Sequence, residues 1–553
     1  MVDRQLTPFD TRITGGRIVD GSGNPWFHAV VALSGDTIAA IAPAGTIDPS
    51  RANEVVDASG HVVSPGFVDI QSHSLVSLLT DSRSLSKVTQ GVTTEIMGEG
   101  TTPSPFGGRI AHPFEPSLVR RMGADAYAEW DTLGRTWTRF GDWLRELERR
   151  QMSVNFGSFI GGGTVREFGK GHEMGQPTPD ELNAMRGCLD QAMRDGAFGI
   201  ATALIYPPGA YADYDELAAL MEVVARYHGV HITHVRSEET RLLEGIDEAL
   251  ALARQTGVIT EIYHLKAIGR ANWHKMPQVI EMIDRARADG LDVTVDMYPY
   301  VAAGTGLEAC LPYWASEDGR LYENLADSVL RARMRSEMSV VSDEWENLGL
   351  SAGPENILVA GITDPEIIRY RGWRIAEIAA DRKQEWQDVI LDLLTIEGAD
   401  IFTMYFGMSE DNLRLQLRQP WIKVSTDAGG VDPVTTEPHG PMHPRAYGTY
   451  PRVLAKYVRE EGVLTLEDAV RKMSSSVCDR LGLRDRGLLR VGMKADVIVF
   501  DPETIQDHST WTDTHRLSTG VRDVWVSGGR VLRDGEHTGA TPGQWVKGPG
   551  YEG

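Results

Sequence analysis

From about residue 66 to residue 484 the chain alternates helical patterns with short apolar runs, and this alternation constrains the fold more than any other feature. DELNAMRGCLDQAMRDG precedes AFGIATALIYPPG, ELAALMEVVARYHG precedes VHITHVRSE, and GIDEALALARQTG precedes VITEIYHLKAIG. MPQVIEMIDRARADG leads into LDVTVDMYPY and, much later, LRLQLRQP into WIKVSTDAGG. Units of roughly 30 residues that pair a helix with a strand build parallel sheets. So many of them predict an α/β fold closed as a (β/α)8 TIM-like barrel. A doubly wound open sheet is the alternative. No GxGxxG follows a strand and no P-loop sequence occurs, so nucleotide binding has no support.

The two ends have another character. DTRITGGRIVDGSGNPW and EVVDASGHVVSPGFVDI near the start, and GMKADVIVFDPETI and VRDVWVSGGRVLRDGEH near the finish, read as short strands punctuated by Gly, Asp, Asn and Pro. Such ends are expected to pair into one discontinuous β-sandwich, residues 1–65 with 485–553, leaving 66–484 as the catalytic barrel.

Composition narrows the partners. Of 553 residues, 55 are Lys or Arg and 78 Asp or Glu, a formal charge of −23, which opposes binding to nucleic acid or an anionic membrane surface. No stretch approaches the ~18 consecutive apolar residues of a membrane span, and the first segment lacks a leader's apolar core. A cytoplasmic location is expected. Cys188, Cys310 and Cys478 lack ligand spacing and are expected in the core.

Barrel active sites lie where strands end, so polar residues just after apolar runs deserve weight. These are Gln71 and His73 after SPGFVDI, Glu99 after TTEIMG, His234 after VHIT, His264 after VITEIY, and Asp427 after WIKVST. Histidines and carboxylates converging from different strands form a donor set that zinc accepts with one position left for water. Glu95, four residues before Glu99, would sit a layer deeper on the same face. Lys266 shares the face of His264 and either binds a substrate carboxylate or stays solvated. His231 points the other way, toward the helices.

SPGFVDI, TQGVTTEIMGEG, LIYPPGAYADYDEL, ITHVRSEETRLLEGIDEAL, YHLKAIG, DMYPYVAAGTGL, STDAGG, HPRAYGTYPRVLAKYVRE and GMKADVIVFDP are found in order along nearly the whole chain. With these motifs the sequence resembles the amidohydrolase superfamily and, within it, the D-aminoacylase (N-acyl-D-amino-acid deacylase) family. The resemblance implies that His234 and His264 bind metal and that Asp427 takes a proton from the water. The family's first-strand His-x-His pair reads Gln71-Ser72-His73 here, and its bridging cysteine after GVTT is absent, with Glu99 the nearest replacement. Some N-acetylglucosamine-6-phosphate deacetylases hold one zinc with a glutamate and two histidines, an arrangement to which Glu99, His234 and His264 are similar. One zinc per chain is therefore expected, with Gln71 and His73 orienting water or completing a weak second ion site.

The resemblance further implies amide hydrolysis of a small substrate bearing a carboxylate. Lys266, Arg445 and Tyr206 would clamp that carboxylate, Arg445 bidentately, and Tyr298, with Tyr300 or His73 as alternates, would stabilise the oxyanion. Rival readings are a cyclic amidase, a hydrolase of D-residue or cyclic peptides, and a non-catalytic scaffold. Residues 101–157, with the amphipathic FGDWLRELERR, suggest a lid or a contact between identical copies.

Overall fold

The structure, a computed structural model, describes residues 9–114, 118–119, 123–398 and 401–553; residues 1–8 of the N-terminal segment and parts of 101–157 lie outside these. Eight short parallel strands carry the architecture. They are β1 (Phe67–Asp69), β2 (Val92–Met97), β3 (Asn155–Ser158, resumed at Ile160–Gly161), β4 (Gly199–Ala203), β5 (Val230–His234), β6 (Ile259–Ile262), β7 (Val293–Met297) and β8 (Ile422–Val424). Each pairs in parallel with the next. Beyond the ends of β8 and β1, a parallel bridge between Ser72 and Ala428 joins the last strand to the first.

Helices predicted from apolar periodicity precede the later strands: Pro179–Arg194 before β4, Tyr214–Arg226 before β5, Leu242–Thr256 before β6, Met276–Ala288 before β7 and Glu410–Leu417 before β8. The first starts with Thr178 as N-cap and Glu181 returning the bond, a capping box with Pro179 at the first position. The third stops at Gly257, whose φ of 71° the absent Cβ permits.

Alternate residues of the strands separate two environments. Val68, Ile70, Ile96, Ala201, Val230, Ile232 and Tyr263 pack together with Val477 and Leu481, on the side of β1 to β6. The β6 to β8 side is charged instead. Lys423 Nζ lies 2.9 Å from Glu261 Oε2, Arg480 Nε 3.2 Å from the same oxygen, and Ser425 donates to Asp296 at 2.6 Å. This buried ionic layer was not anticipated, since a lone polar residue within an apolar run gives no sign of its partners.

The terminal segments share a sheet: residues 62–65 pair antiparallel with Val497–Phe500, and the Phe9–Thr14 sheet packs nearby through Ile13, Val31, Val63 and Val497. The last residues leave that sheet, for Trp545 bridges Phe156 in β3 and Gly548 N bonds Gly196 O. Between β7 and β8 an antiparallel sheet of Ala303–Gly306, Ile357–Val359 and Phe402–Tyr405 brings its own core, including Leu307, Val359, Ile390 and Leu394. FGDWLRELERR forms the helix Gly141–Arg150, burying Trp143, Leu144 and Leu147.

Candidate metal and catalytic site

Two donor groups share one carboxylate. The ligand atoms of Glu99, His234 and His264 lie within 4.8 Å of one another, as do those of His73, Glu99 and Asp427. Glu99 Oε1 is 3.4 Å from both His234 Nδ1 and His264 Nε2, while Oε2 is 3.2 Å from His73 Nε2. Gln71 Nε2 donates to Glu99 at 2.5 Å and to Asp427 at 3.2 Å, so its amide lies between the two carboxylates.

Glu99 enters the site because the chain reverses its alternation just before it. Ile96 faces the apolar interior, whereas Met97 packs with the surrounding helices, and Gly98 then takes φ 115°, where an added Cβ would lie only 2.2 Å from Phe159 O. No side chain fits there. For the same reason Glu95 does not sit beneath Glu99 as expected. It accepts from Ser72 and Ser74 at 2.5 Å each and from Ser84.

Both histidines are held from behind by Glu238, a residue the sequence reading did not single out. Its carboxylate lies 3.2 Å from His234 Nε2 and 3.3 Å from His264 Nδ1. The carboxylate behind the two rings leaves His234 Nδ1 and His264 Nε2 as the nitrogens that face Glu99. Lys266 is not the solvated side chain that was one of its two expected roles. It is 3% exposed, and its Nζ lies 2.6 Å from Glu238 Oε1 and 2.7 Å from His264 Nδ1. His231 lies on the opposite face, 3.0 Å from Thr202 Oγ1.

Asp427 sits on a strained turn. Its φ is 51°, and His264 has 31°, values that residues with a Cβ seldom adopt. The turn is overdetermined by its neighbours. Lys87, fully buried with Asp69, places Nζ 2.5 Å from Asp69 Oδ2 and donates to Thr426 Oγ1 at 2.6 Å and Ala428 O at 2.7 Å. Thr426 N and Oγ1 donate in turn to Asp69. The residues before and after Asp427 are thus fixed by one buried ion pair. Its carboxylate meets His73 Nε2 at 2.9 Å and Arg445 Nη1 at 2.6 Å.

A cavity of about 740 Å³ opens over these groups, and His73, Tyr206, Lys266, Tyr298 and Arg445 line it. Tyr206 OH donates to Thr305 at 2.8 Å, and Arg445 Nη2 donates to Gly304 O at 2.9 Å while its Nε has no hydrogen-bond partner. The Arg445 guanidinium stacks 4.8 Å from the Tyr298 ring centre and also bonds its hydroxyl, which lies 4.0 Å from Met408 Sδ. Tyr300 is set behind the wall, its hydroxyl 3.4 Å from Pro444 O, and does not line the cavity, so it does not serve as the alternate oxyanion donor. His443, missed in the sequence, accepts from Arg445 N at 3.0 Å and orients it.

Charge balance sharpens these roles. Burial alone would lower the pKa of His73, but hydrogen bonds to Asp427 and Glu99 outweigh it and raise it to about 10. His234 is likewise opposed by burial and raised to about 9 by Glu238 and Glu99. Despite burial, Arg445 and His264 lower Asp427 to about 2, so it is a carboxylate throughout the neutral range. The histidines hold Glu99 well below its usual range. An anionic cluster that draws protons onto its histidines is suited to a divalent cation. Three ligands from separate strand ends, two of them imidazoles braced by a carboxylate, fit a catalytic zinc.

The Amidohydrolase family matches at residues 425–532. D-aminoacylase of Alcaligenes xylosoxydans xylosoxydans is 31% identical over 97% of this chain and 97% of its own, and N-acyl-D-aspartate deacylase of the same organism is 31% identical over 98% and 95%. This chain belongs to the D-aminoacylase family of amidohydrolases. Among solved members, a D-aminoacylase described as having a binuclear metal centre, with one-metal activation and second-metal attenuation, superposes with a TM-score of 0.79 at 29% identity, covering 98% of this chain and 100% of that one. N-acyl-D-glutamate deacylase from Bordetella bronchiseptica, complexed with zinc and a phosphonate mimic of the tetrahedral intermediate, gives 0.78 at 28% identity over 98% and 100%. As a member of this family the chain is a metal-dependent hydrolase, which sets aside the non-catalytic scaffold. Among the described residues no helix is long and apolar enough to cross a membrane.

Proposed function

We propose that this enzyme removes the acyl group from N-acyl-D-amino acids, using one tightly held zinc ion per chain and Asp427 as general base. The observation that carries this reading is the pairing of a braced Glu99, His234 and His264 group with an ionised Asp427 on the same cavity. Glu99, His234 and His264 would hold the ion, which when bound supplies Lewis acidity and brings the pKa of water to roughly 7.

The chain's own groups account for the rest. Asp427 takes the proton of the attacking water and returns it to the departing amine nitrogen, a transfer worth about 10²-fold to 10⁴-fold. His73, 2.9 Å away, fixes the orientation of the Asp427 carboxylate, and Gln71 tethers it to Glu99. The Tyr298 hydroxyl, whose Arg445 partner can only donate to it, keeps its own proton for the developing oxyanion. Arg445 and Tyr206, which line the cavity, would bind the substrate carboxylate, with Lys266 contributing its charge from its place on Glu238. A second ion at His73, Glu99 and Asp427 would bind weakly, because Gln71 stands where another imidazole would be needed. The scaffold is read as a (β/α)8 barrel, residues 66–484, with a discontinuous terminal β-domain, 1–65 and 485–553.

Purified zinc-loaded enzyme offered N-acetyl-D-leucine, N-acetyl-L-leucine and a hydantoin is expected to hydrolyse the D compound fastest. Faster opening of the hydantoin would assign it instead as a cyclic amidase, and preference for the L compound would remove the stereochemical assignment.

A further inference from the structure

The cavity is too large for the smallest substrates of such a reaction. At about 740 Å³ it lies in the upper part of the range of small-molecule sites, and its walls divide by origin. One wall comes from the segment between β7 and β8, through Ala303, Gly304, Thr305, Leu348 and Phe402. The other comes from the ends of β1 and β8 and the chain between β2 and β3, through Leu75, Val76, Leu118, Ala126 and Val431. The donor cluster lines the same cavity.

The two walls have different uses. Tyr206 and Arg445 bond to Thr305 and Gly304, so the groups that recognise a carboxylate are fastened to the first wall. A substrate whose carboxylate is held there, with its scissile carbonyl at the donor cluster, directs its acyl group to the second wall. There Leu75, Val76, Leu118, Ala126 and Val431 are all half-buried, leaving aliphatic surface facing the cavity. Among the described residues, Arg83 at its edge is shared by Asp81, at 2.8 Å, and Asp432, at 2.6 Å, and it is these two carboxylates that line the cavity there. An anionic acyl tail would meet the carboxylates of Asp81 and Asp432, whereas a hydrocarbon tail covers the exposed aliphatic groups.

We infer that this wall is a subsite for an uncharged aliphatic acyl chain, and that the preferred substrates carry acyl groups of about six to eight carbons rather than acetyl. The inference rests on the deacylase reading above and adds the chemical class of the acyl half. Each methylene buried against such a wall is worth at most about fourfold in binding, so a wall this large gives a rise that a short series resolves.

The test is kcat/KM of the zinc-loaded enzyme for N-acetyl-, N-butanoyl-, N-hexanoyl-, N-octanoyl- and N-succinyl-D-leucine, with competitive inhibition by acetate and octanoate measured alongside. The subsite predicts a rise of about twofold to fourfold per methylene to hexanoyl or octanoyl, succinyl below butanoyl, and octanoate inhibiting at least tenfold more strongly than acetate. Ala126→Trp, which fills the wall, should bring the octanoyl-to-acetyl ratio back toward one, and unchanged zinc content shows that the variant is folded. Hydrolysis of N-acetyl-D-leucine with a flat or falling series overturns the subsite and spares the deacylase reading. A gain that follows the length of the amino-acid side chain and not that of the acyl chain also overturns it, by reversing the two walls. If no member of the series is hydrolysed, the deacylase reading falls, and equal inhibition by acetate and octanoate then removes the subsite as well.

Discussion

The two halves of the donor cluster share Glu99 but are built differently. On the side of β5 and β6, the His234 and His264 side chains are 4% and 2% exposed, and both are held from behind by one carboxylate. On the side of β1 and β8, the His73 side chain is 38% exposed, among the described residues it meets carboxylates only through Nε2, and an amide occupies the place beside it. Rigid, oriented imidazoles hold an ion. An exposed imidazole on an ionised aspartate serves instead to guide a proton. One cluster thus divides into a part that retains metal and a part that performs chemistry.

Substitutions can break that division, beginning with the largest effect. His234→Ala or His264→Ala removes one of three ligands and should release the ion and abolish turnover together, as metal analysis and an activity assay on the same sample would show. His73→Ala should leave the ion in place; loss of metal equal to that of the other two would erase the difference between the halves.

Lys87→Met probes how Asp427 is aimed. It leaves Asp69 buried and unpaired, at about 3–5 kcal/mol in stability, and frees the turn at Thr426 and Ala428. Turnover should fall by up to about 10²-fold with KM little changed, the effect of a misplaced reacting group. In Lys87→Met/Asp69→Asn the denaturation midpoint should recover while turnover does not. Recovery of both would make the pair merely structural.

The smallest effect sharpens the comparison. Gln71→His supplies the missing imidazole and should raise the affinity for a second ion about tenfold, the lower end of what an added metal-site group contributes. An unchanged titration would show that Gln71 does not limit that site.

What the sequence disclosed follows the same contrast. The helices from Pro179 to Ala288 carry their own periodicity and caps, so local patterns sufficed to place them and the strands that follow. His234, His264, Glu99 and Asp427 were visible because each ends an apolar run. Glu238 was not, since it lies in a loop four residues past His234 and matters only through contacts across the site. Glu95 was assigned to the wrong face because simple alternation does not register Gly98, whose φ of 115° inverts the pattern. Lys87 and Asp69 gave no signal, for their meaning lies in contacts 339 residues apart along the chain.

Asp427→Asn, assayed for turnover and zinc content in one preparation, bears most directly on the division of labour. The amide keeps the size of the side chain and much of its hydrogen bonding but cannot carry the proton between water and leaving amine. With Glu99, His234 and His264 intact, the account predicts a fall in turnover of about 10²-fold to 10⁴-fold and close to one zinc per chain. Turnover within a few-fold of the parent would contradict Asp427 as the base, and loss of the zinc would make it a principal ligand instead.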